Sequence, residues 1–277
     1  MTNKKYFFLE PALFKLDGGA MFGIIPKPLW NKVHPADEQN RIQLALRLLL
    51  IQSGNKNILI DTGIGDYHGK KFDERFAVTS NPSPLILALN KIGLKPEDIT
   101  DLIISHLHFD HVGGIAKQEG EKLVPIMPNA TLHLHQSHYE YALNPTERDT
   151  GSFHTPDFLP IIEFYKNAKQ LHWVTGMEGK ILDGVNFKCS MGHTPFLMHP
   201  YDEKYIYLAD LIPTANHVSI PWVMGYDISP GQSTKDKRNF LQFIFENKLE
   251  IVFEHDPIRA SAKVILGTKG EFVLEAL

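Results

Sequence analysis

Cysteine is nearly missing from this chain: Cys189 is the single one in 277 residues. One thiol excludes an internal disulfide framework and suits a reducing compartment, so a cytoplasmic protein is expected. Long apolar runs are missing too. The most hydrophobic stretch, residues 44–51, contains Arg47 and is far too short to span a bilayer. Residues 1–9 have the outline of a leader, but Glu10 and Pro11 interrupt it before an h-region of adequate length forms. A basic excess is also absent, with 28 Lys and Arg against 32 Asp and Glu and a formal net charge of −4. That balance leaves no electrostatic footprint for nucleic acid and favours a small or neutral substrate. Neither a membrane nor a nucleic acid is therefore an expected partner. No repeat, linker or low-complexity segment divides the chain, so one domain over residues 1–277 is expected.

What is present is concentrated in one place. Ser105-His106-Leu107-His108-Phe109-Asp110-His111-Val112-Gly113-Gly114 follows the apolar run Leu102-Ile103-Ile104, which has the length and composition of a buried strand. His106, His108, Asp110 and His111 are four metal-competent side chains within six residues, a density that packing does not require. Neutral imidazoles and a carboxylate are the donors that zinc and similar divalent ions take.

Around this motif the pattern is one of mixed strands and helices, an α+β chain. Strands are expected over residues 6–16, 41–52, 57–60, 101–104, 123–126, 131–135, 180–182, 185–190, 204–209 and 251–253, with two more flanking Gly270. Apolar spacing predicts helices over residues 84–92, 137–143 and 234–247. Residues 20–30 carry Pro26 and Pro28 and are expected to lack regular structure while still lying over something apolar. Residues 144–173, with Pro145, Pro156 and Pro160, read as broken helical pieces and loops.

Three later strands also end in metal-competent residues: one leads into Gly192-His193-Thr194, one into Asp210 and one into His255. Asp61, directly after the apolar Ile58-Leu59-Ile60, is either a turn former or an acceptor orienting a ligand histidine. His133, His135, His138 and His172 read as ordinary surface or core residues.

Through His106-x-His108-x-Asp110-His111, Gly192-His193-Thr194, Ala209-Asp210 and His255, in that order, the chain resembles the metallo-β-lactamase superfamily of hydrolases. The resemblance implies a four-layer αβ/βα sandwich with its site at one edge. It implies two divalent ions, zinc first with manganese, iron or cobalt as alternatives. One ion would be held by His106, His108 and His193, the other by Asp110, His111 and His255, with Asp210 bridging both. A hydroxide shared by two such ions attacks a carbonyl or phosphoryl centre, and Asp110 also handles a proton.

Residues 17–30 and 210–227 look like those of the quorum-quenching N-acyl-homoserine lactonase branch, which also resembles the methyl-parathion-hydrolase type. The expected partner is therefore a small hydrophobic lactone or ester, and the chain is compatible with a homodimer. Met21, Phe22, Trp30, Trp222 and Met224 would receive its apolar part. Better-known lactonases of this superfamily place a tyrosine where Pro213 stands, which leaves Thr214 and His217 as candidates to polarise the substrate. The alternatives are an organophosphate hydrolase, a diiron redox protein, for which His108 stands where a carboxylate would be needed, and a non-catalytic metal-binding member.

Overall fold

The structure, a computed structural model, describes residues 4–79 and 84–276. Residues 1–3, the start of the leader-like stretch, lie outside the described residues. The chain opens with β1 (Lys5–Asp17), α1 (Gly18–Phe22), α2 (Lys27–Trp30), β2 (Arg41–Ser53), β3 (Lys56–Ile60), α3 (Lys70–Phe76) and α4 (Pro84–Asn90). It continues through β4 (Asp101–Ile103), α5 (Phe109–Val112), β5 (Ala116–Glu119), β6 (Lys122–Pro125), β7 (Thr131–His135), α6 (Gln136–Leu143), α7 (Thr155–Asn167) and β8 (Leu171–Val174). The last part holds β9 (Glu178–Leu182), β10 (Val185–Ser190), β11 (Leu197–Tyr201), β12 (Tyr205–Tyr207), α8 (Pro230–Asn247), β13 (Glu250–Val252), β14 (Ser261–Leu266) and β15 (Phe272–Leu274). The chain divides into two compact units, residues 1–13 with 46–176 and residues 14–45 with 177–277.

One sheet runs β1-β2-β3-β4-β7-β8. From β3 to β8 its pairs are parallel, with Ile60 opposite Ile103 and Ile103 opposite His133. Parallel neighbours release their chains at the same edge, so Asp61 after β3 and Ser105 after β4 emerge side by side. The core of the first unit gathers Leu48, Leu50, Leu59, Leu102, Leu132 and Leu134 with Phe158, Ile161, Ile162 and Tyr165 of α7. Each such side chain contributes about 1.5–3 kcal/mol by leaving water. Arg47, the lone charge of the most apolar stretch, is buried on β2 and donates to Glu10 Oε1 at 2.9 and 2.6 Å.

The other large sheet runs β15-β14-β13-β12-β11-β10-β9. Its β12–β13 pair is parallel, whereas β10–β11 and β11–β12 are antiparallel. The strands β10, β12 and β13 therefore share a direction, and the segments carrying His193, Asp210 and His255 leave this sheet at one edge. Helix α8 packs on β14 and buries Phe240, Leu241 and Ile244. It also buries Lys237, whose Nζ donates to the carbonyls of Ser219, Trp222 and Ile220 at 2.7, 2.9 and 3.3 Å.

Several sequence expectations need correction. Residues 20–30 are largely helical: Asp17 caps α1 by accepting from Ala20 N, and Pro28 sits in the first turn of α2, where its missing N–H costs nothing. Residues 144–173 are less broken than their prolines suggest. Pro156 lies in the first turn of α7 and Pro160 is accommodated inside it, while β8 follows. The strands β5 and β11 also escaped the reading. Pro200 disguises β11, whose pairing with β12 is confined to Tyr201 opposite Ile206.

Gly113 and Gly114 end the motif at very close range to the loop after β3. A Cβ on Gly114 would stand 2.1 Å from Thr62 O, and one on Gly113 would stand 2.2 Å from Ile64 O. Gly114→Ala is expected to lower stability by about 3 kcal/mol, at the severe end of overpacking, in urea unfolding. Gly151→Ala, where a Cβ meets nothing within 4 Å, serves as the control with little change.

Lys237 yields a pH prediction. Burial lowers its pKa from 10.5 to about 7, with the Asp227 carboxylate acting in the opposite sense. Between those values the unfolded lysine holds a proton that the folded one has released, so stability rises with pH across that window. Lys237→Met is expected to remove this rise and to cost about 1–3 kcal/mol through the lost hydrogen bonds to these part-buried carbonyls, as read by urea midpoints from pH 7 to 10.

Candidate metal-binding site

The expected ligands form two sets, each within one unit. In the first unit, His106, His108, Asp110 and His111 are all buried. His106 follows β4, while Asp110 and His111 lie on the single turn of α5, for which His108 is the N-cap residue. Asp61 stands behind this set. Its Oδ1 accepts from Ser105 N at 2.7 Å, and its Oδ2 accepts from Ser105 Oγ at 2.6 Å and lies 3.1 Å from His111 Nδ1. A carboxylate there makes Nδ1 the protonated nitrogen of His111 and turns the Nε2 lone pair away from it. Ser105 Oγ, 3.0 Å from His106 Nδ1, can accept from that ring in the same way. His106 Nε2 then lies 3.0 Å from His108 Nδ1, and His111 Nε2 lies 3.8 Å from Asp110 Oδ1.

In the second unit, Asp210 lies between two imidazoles. His193 Nε2 is 3.0 Å from its Oδ2 and His255 Nε2 is 3.1 Å from its Oδ1. Behind His193, Asp227 Oδ1 is 2.9 Å from Nδ1; behind His255, the carbonyl of Ala45 is 2.8 Å from Nδ1. Each acceptor claims the Nδ1 proton, so in the neutral rings both Nε2 lone pairs face carboxylate oxygen. Lone pair against carboxylate is a repulsive arrangement that a cation between them relieves, and this donor set fits divalent metal. The proton shows the same pull. Burial alone lowers the His193 pKa, yet Asp210 and Asp227 raise it to about 9.

Both sets carry backbone strain where the strands end. Asp61 has φ 58° and Ala209, immediately before Asp210, has φ 43°, a left-handed conformation uncommon for residues with a side chain.

Supporting residues beyond the sequence reading also emerge. Leu107 N donates to His138 Nε2 at 2.8 Å, so an α6 histidine expected to be ordinary core holds the motif backbone. Asp236 of α8 accepts from the N–H groups of Met191 and Gly192 at 2.8 and 3.0 Å, fixing the approach to His193. Thr62 Oγ1 donates to the His111 carbonyl at 2.8 Å. A lone aspartate or histidine with no local pattern carries no sequence signal for such roles, and Asp227 and Asp236 are of that kind.

The residues expected to meet substrate lie in the second unit and largely engage one another. Phe22 stacks on His217 and Trp30 at centroid distances of 4.9 and 5.5 Å and meets Trp222 edge-on at 5.5 Å. Met21, Phe22, Trp30, Thr214, His217 and Met224 are buried, while Trp222 stays partly exposed. His217 Nε2 is 2.9 Å from Met21 O and its Nδ1 is 2.7 Å from Thr214 Oγ1, so both ring nitrogens are engaged inside the unit. Burial, with the Lys237 cation as a further cause, lowers the His217 pKa to about 3 and keeps that ring neutral.

Because Asp61 fixes His111 through a single oxygen, Asp61→Asn is expected to weaken metal retention by about 10–100-fold, as measured by competition with a chelator.

Comparison with known proteins agrees with this chemistry. The N-acyl homoserine lactonase AttM of Agrobacterium fabrum is 24% identical over 237 residues, covering 84% of this chain and 82% of the relative. A probable metal-dependent hydrolase from Staphylococcus aureus superposes with a TM-score of 0.85 at 27% identity, covering 100% of this chain and 99% of that one. AidC, a dizinc quorum-quenching lactonase in complex with a product, shares the fold with a TM-score of 0.73 at 22% identity, covering 100% of this chain and 96% of its own. The model of the metallo-β-lactamase superfamily matches residues 48–255. A match over most of the chain makes this protein a member of the metallo-β-lactamase superfamily.

Proposed function

We propose that the two ligand sets act together as one dinuclear centre and that the protein opens lactone rings such as those of N-acyl homoserine lactones. The observation that carries this reading is Asp210 held between two oriented imidazoles, a bridging carboxylate in all but the ions. The lactonase relative extends over 84% of the chain and supports the substrate class. The family match crosses both compact units, which supports treating residues 1–277 as one domain. Zinc is the preferred metal for this imidazole and carboxylate set, and the single buried thiol supports a reducing, cytoplasmic setting.

Bound divalent cations supply Lewis acidity toward the ester carbonyl and water made nucleophilic near neutral pH. The remaining tasks fall to the chain. In this reading His106, His108 and His193 would hold one cation and His111, His255 and Asp110 the other, with Asp210 available to both. Asp61 and Asp227 keep the tautomers of His111 and His193 in place. Asp110 takes a proton from the attacking water and returns it to the ring oxygen as the acyl–oxygen bond breaks, so lactone and water give the open hydroxy acid. Trp222, wedged against Phe22, offers an apolar wall to the acyl chain.

Two measurements test this reading. Metal-loaded protein is expected to release acid from N-hexanoyl homoserine lactone in a pH-stat, and His108→Ala to lose at least about 100-fold of kcat/KM through its missing metal donor. Equal rates for both proteins would overturn the mechanism, whereas turnover of paraoxon without turnover of the lactone would overturn the substrate class. Asp210→Asn is expected to retain at least about one ion per chain fewer than the unaltered protein by elemental analysis, because the shared carboxylate is lost.

A further inference from the structure

A second donor cluster lies in the first unit, built from residues the lactonase reading does not use. His68, His154 and Asp157 each present one donor atom within 4.8 Å of the others. His68 Nδ1 and His154 Nδ1 both stand 3.5 Å from the same oxygen, Asp157 Oδ2. Asp157 lies in the first turn of α7 and His154 is the N-cap residue of that helix, so two of the three are fixed by one helix start.

The protonation pattern makes this cluster unusual. His68 Nε2 is 2.8 Å from the Ile64 carbonyl, which can only accept, so Nε2 carries the proton. In the neutral ring Nδ1 is then a lone pair directed at a carboxylate oxygen. A charge-assisted hydrogen bond would draw the two to about 2.7–2.9 Å, shorter than the separation found. Donors bound at about 2.0–2.1 Å to a tetrahedral zinc ion stand roughly 3.3–3.4 Å apart, close to the separation found. Burial lowers the His68 pKa and so works against the alternative of a permanent imidazolium.

The surroundings hold the donors in place. His68 stacks on Phe72 at 4.1 Å and 25°, and His154 stacks on Phe109 at 5.1 Å and 18°. Tyr67, His68, Phe109, His154 and Asp157 line one small cavity. The Tyr67 hydroxyl oxygen is buried there without a hydrogen-bond partner. The side chains of Asp157 and His154 remain 27% and 31% exposed, which leaves a route from solvent.

We infer that His68, His154 and Asp157 form a separate site for one divalent cation of zinc type, which ties the loop after β3 to the start of α7. Two imidazoles and one carboxylate make a three-donor set with a remaining coordination position open, so binding is weaker and more readily reversed than at a four-donor structural site. Because Phe109 stands between His108 and Asp110, occupancy braces the motif from behind.

The test is zinc stoichiometry by equilibrium dialysis and elemental analysis of the full chain. Three ions per chain are expected for the unaltered protein, and two each for Asp157→Asn and His154→Ala. His154→Gln replaces the alanine variant should the latter fail to fold, with circular dichroism as the check. An unchanged count in these variants would overturn the inference while leaving the dinuclear reading intact. Conversely, a His108→Ala/Asp210→Asn double variant that keeps one ion, lost on adding Asp157→Asn, would support this site whatever becomes of the lactonase reading. Thermal midpoints give a second readout: zinc is expected to raise the midpoint of that double variant, and no rise beyond that of its Asp157→Asn form would overturn the inference.

Discussion

The acceptor behind the imidazoles of His111, His193 and His255 is the constraint on which this protein depends. A histidine offers metal a lone pair only when its other nitrogen is held in the protonated state, and here Asp61, Asp227 and the Ala45 carbonyl hold it for His111, His193 and His255. Those acceptors in turn require exact strand ends. Asp61 reaches Ser105 and His111 because β3 and β4 are parallel neighbours in register, and the left-handed turn at Asp61 aims its carboxylate along that edge. The fold therefore serves the tautomers, and the tautomers serve the metal.

The cost of that arrangement is spread through the surrounding structure. Strained φ values at Asp61 and Ala209 and a pair of glycines pressed against carbonyl oxygens persist only within a well-packed frame. The leucine and isoleucine core of the first unit and the α8 face of the second provide it. Lys237 contributes a polar brace, its Nζ gathering the carbonyls of Ser219, Ile220 and Trp222.

Much of the site was legible in sequence because its signal is dense. His106, His108, Asp110 and His111 lie within six residues, and the later candidates His193, Asp210 and His255 each follow a strand-like run. The strands β2, β3, β10 and β13 were readable from β-branched and aliphatic composition, and the helix α8 from its apolar stripe. What escaped has physical reasons. Proline at a helix start looks the same in sequence as proline in a loop, so α2 and α7 were misread, and Pro200 concealed β11. Asp227, Asp236 and His138 act through tertiary proximity alone, which no local spacing encodes. The aromatic residues near Phe22 were recognisable as a group, but composition does not say whether rings face a substrate or one another; here most face one another.

The acceptors behind the imidazoles also differ in kind. Those behind His106, His111 and His193 are side chains, and the one behind His255 is the main-chain oxygen of Ala45. A main-chain oxygen is supplied by whichever amino acid occupies the position, so point changes at residue 45 leave it in place provided the strand keeps its path. Single codon changes readily remove the carboxylates at positions 61 and 227. The genetic fragility of the centre is thus uneven: His255 is insured by the backbone, while His111 and His193 each depend on one replaceable side chain.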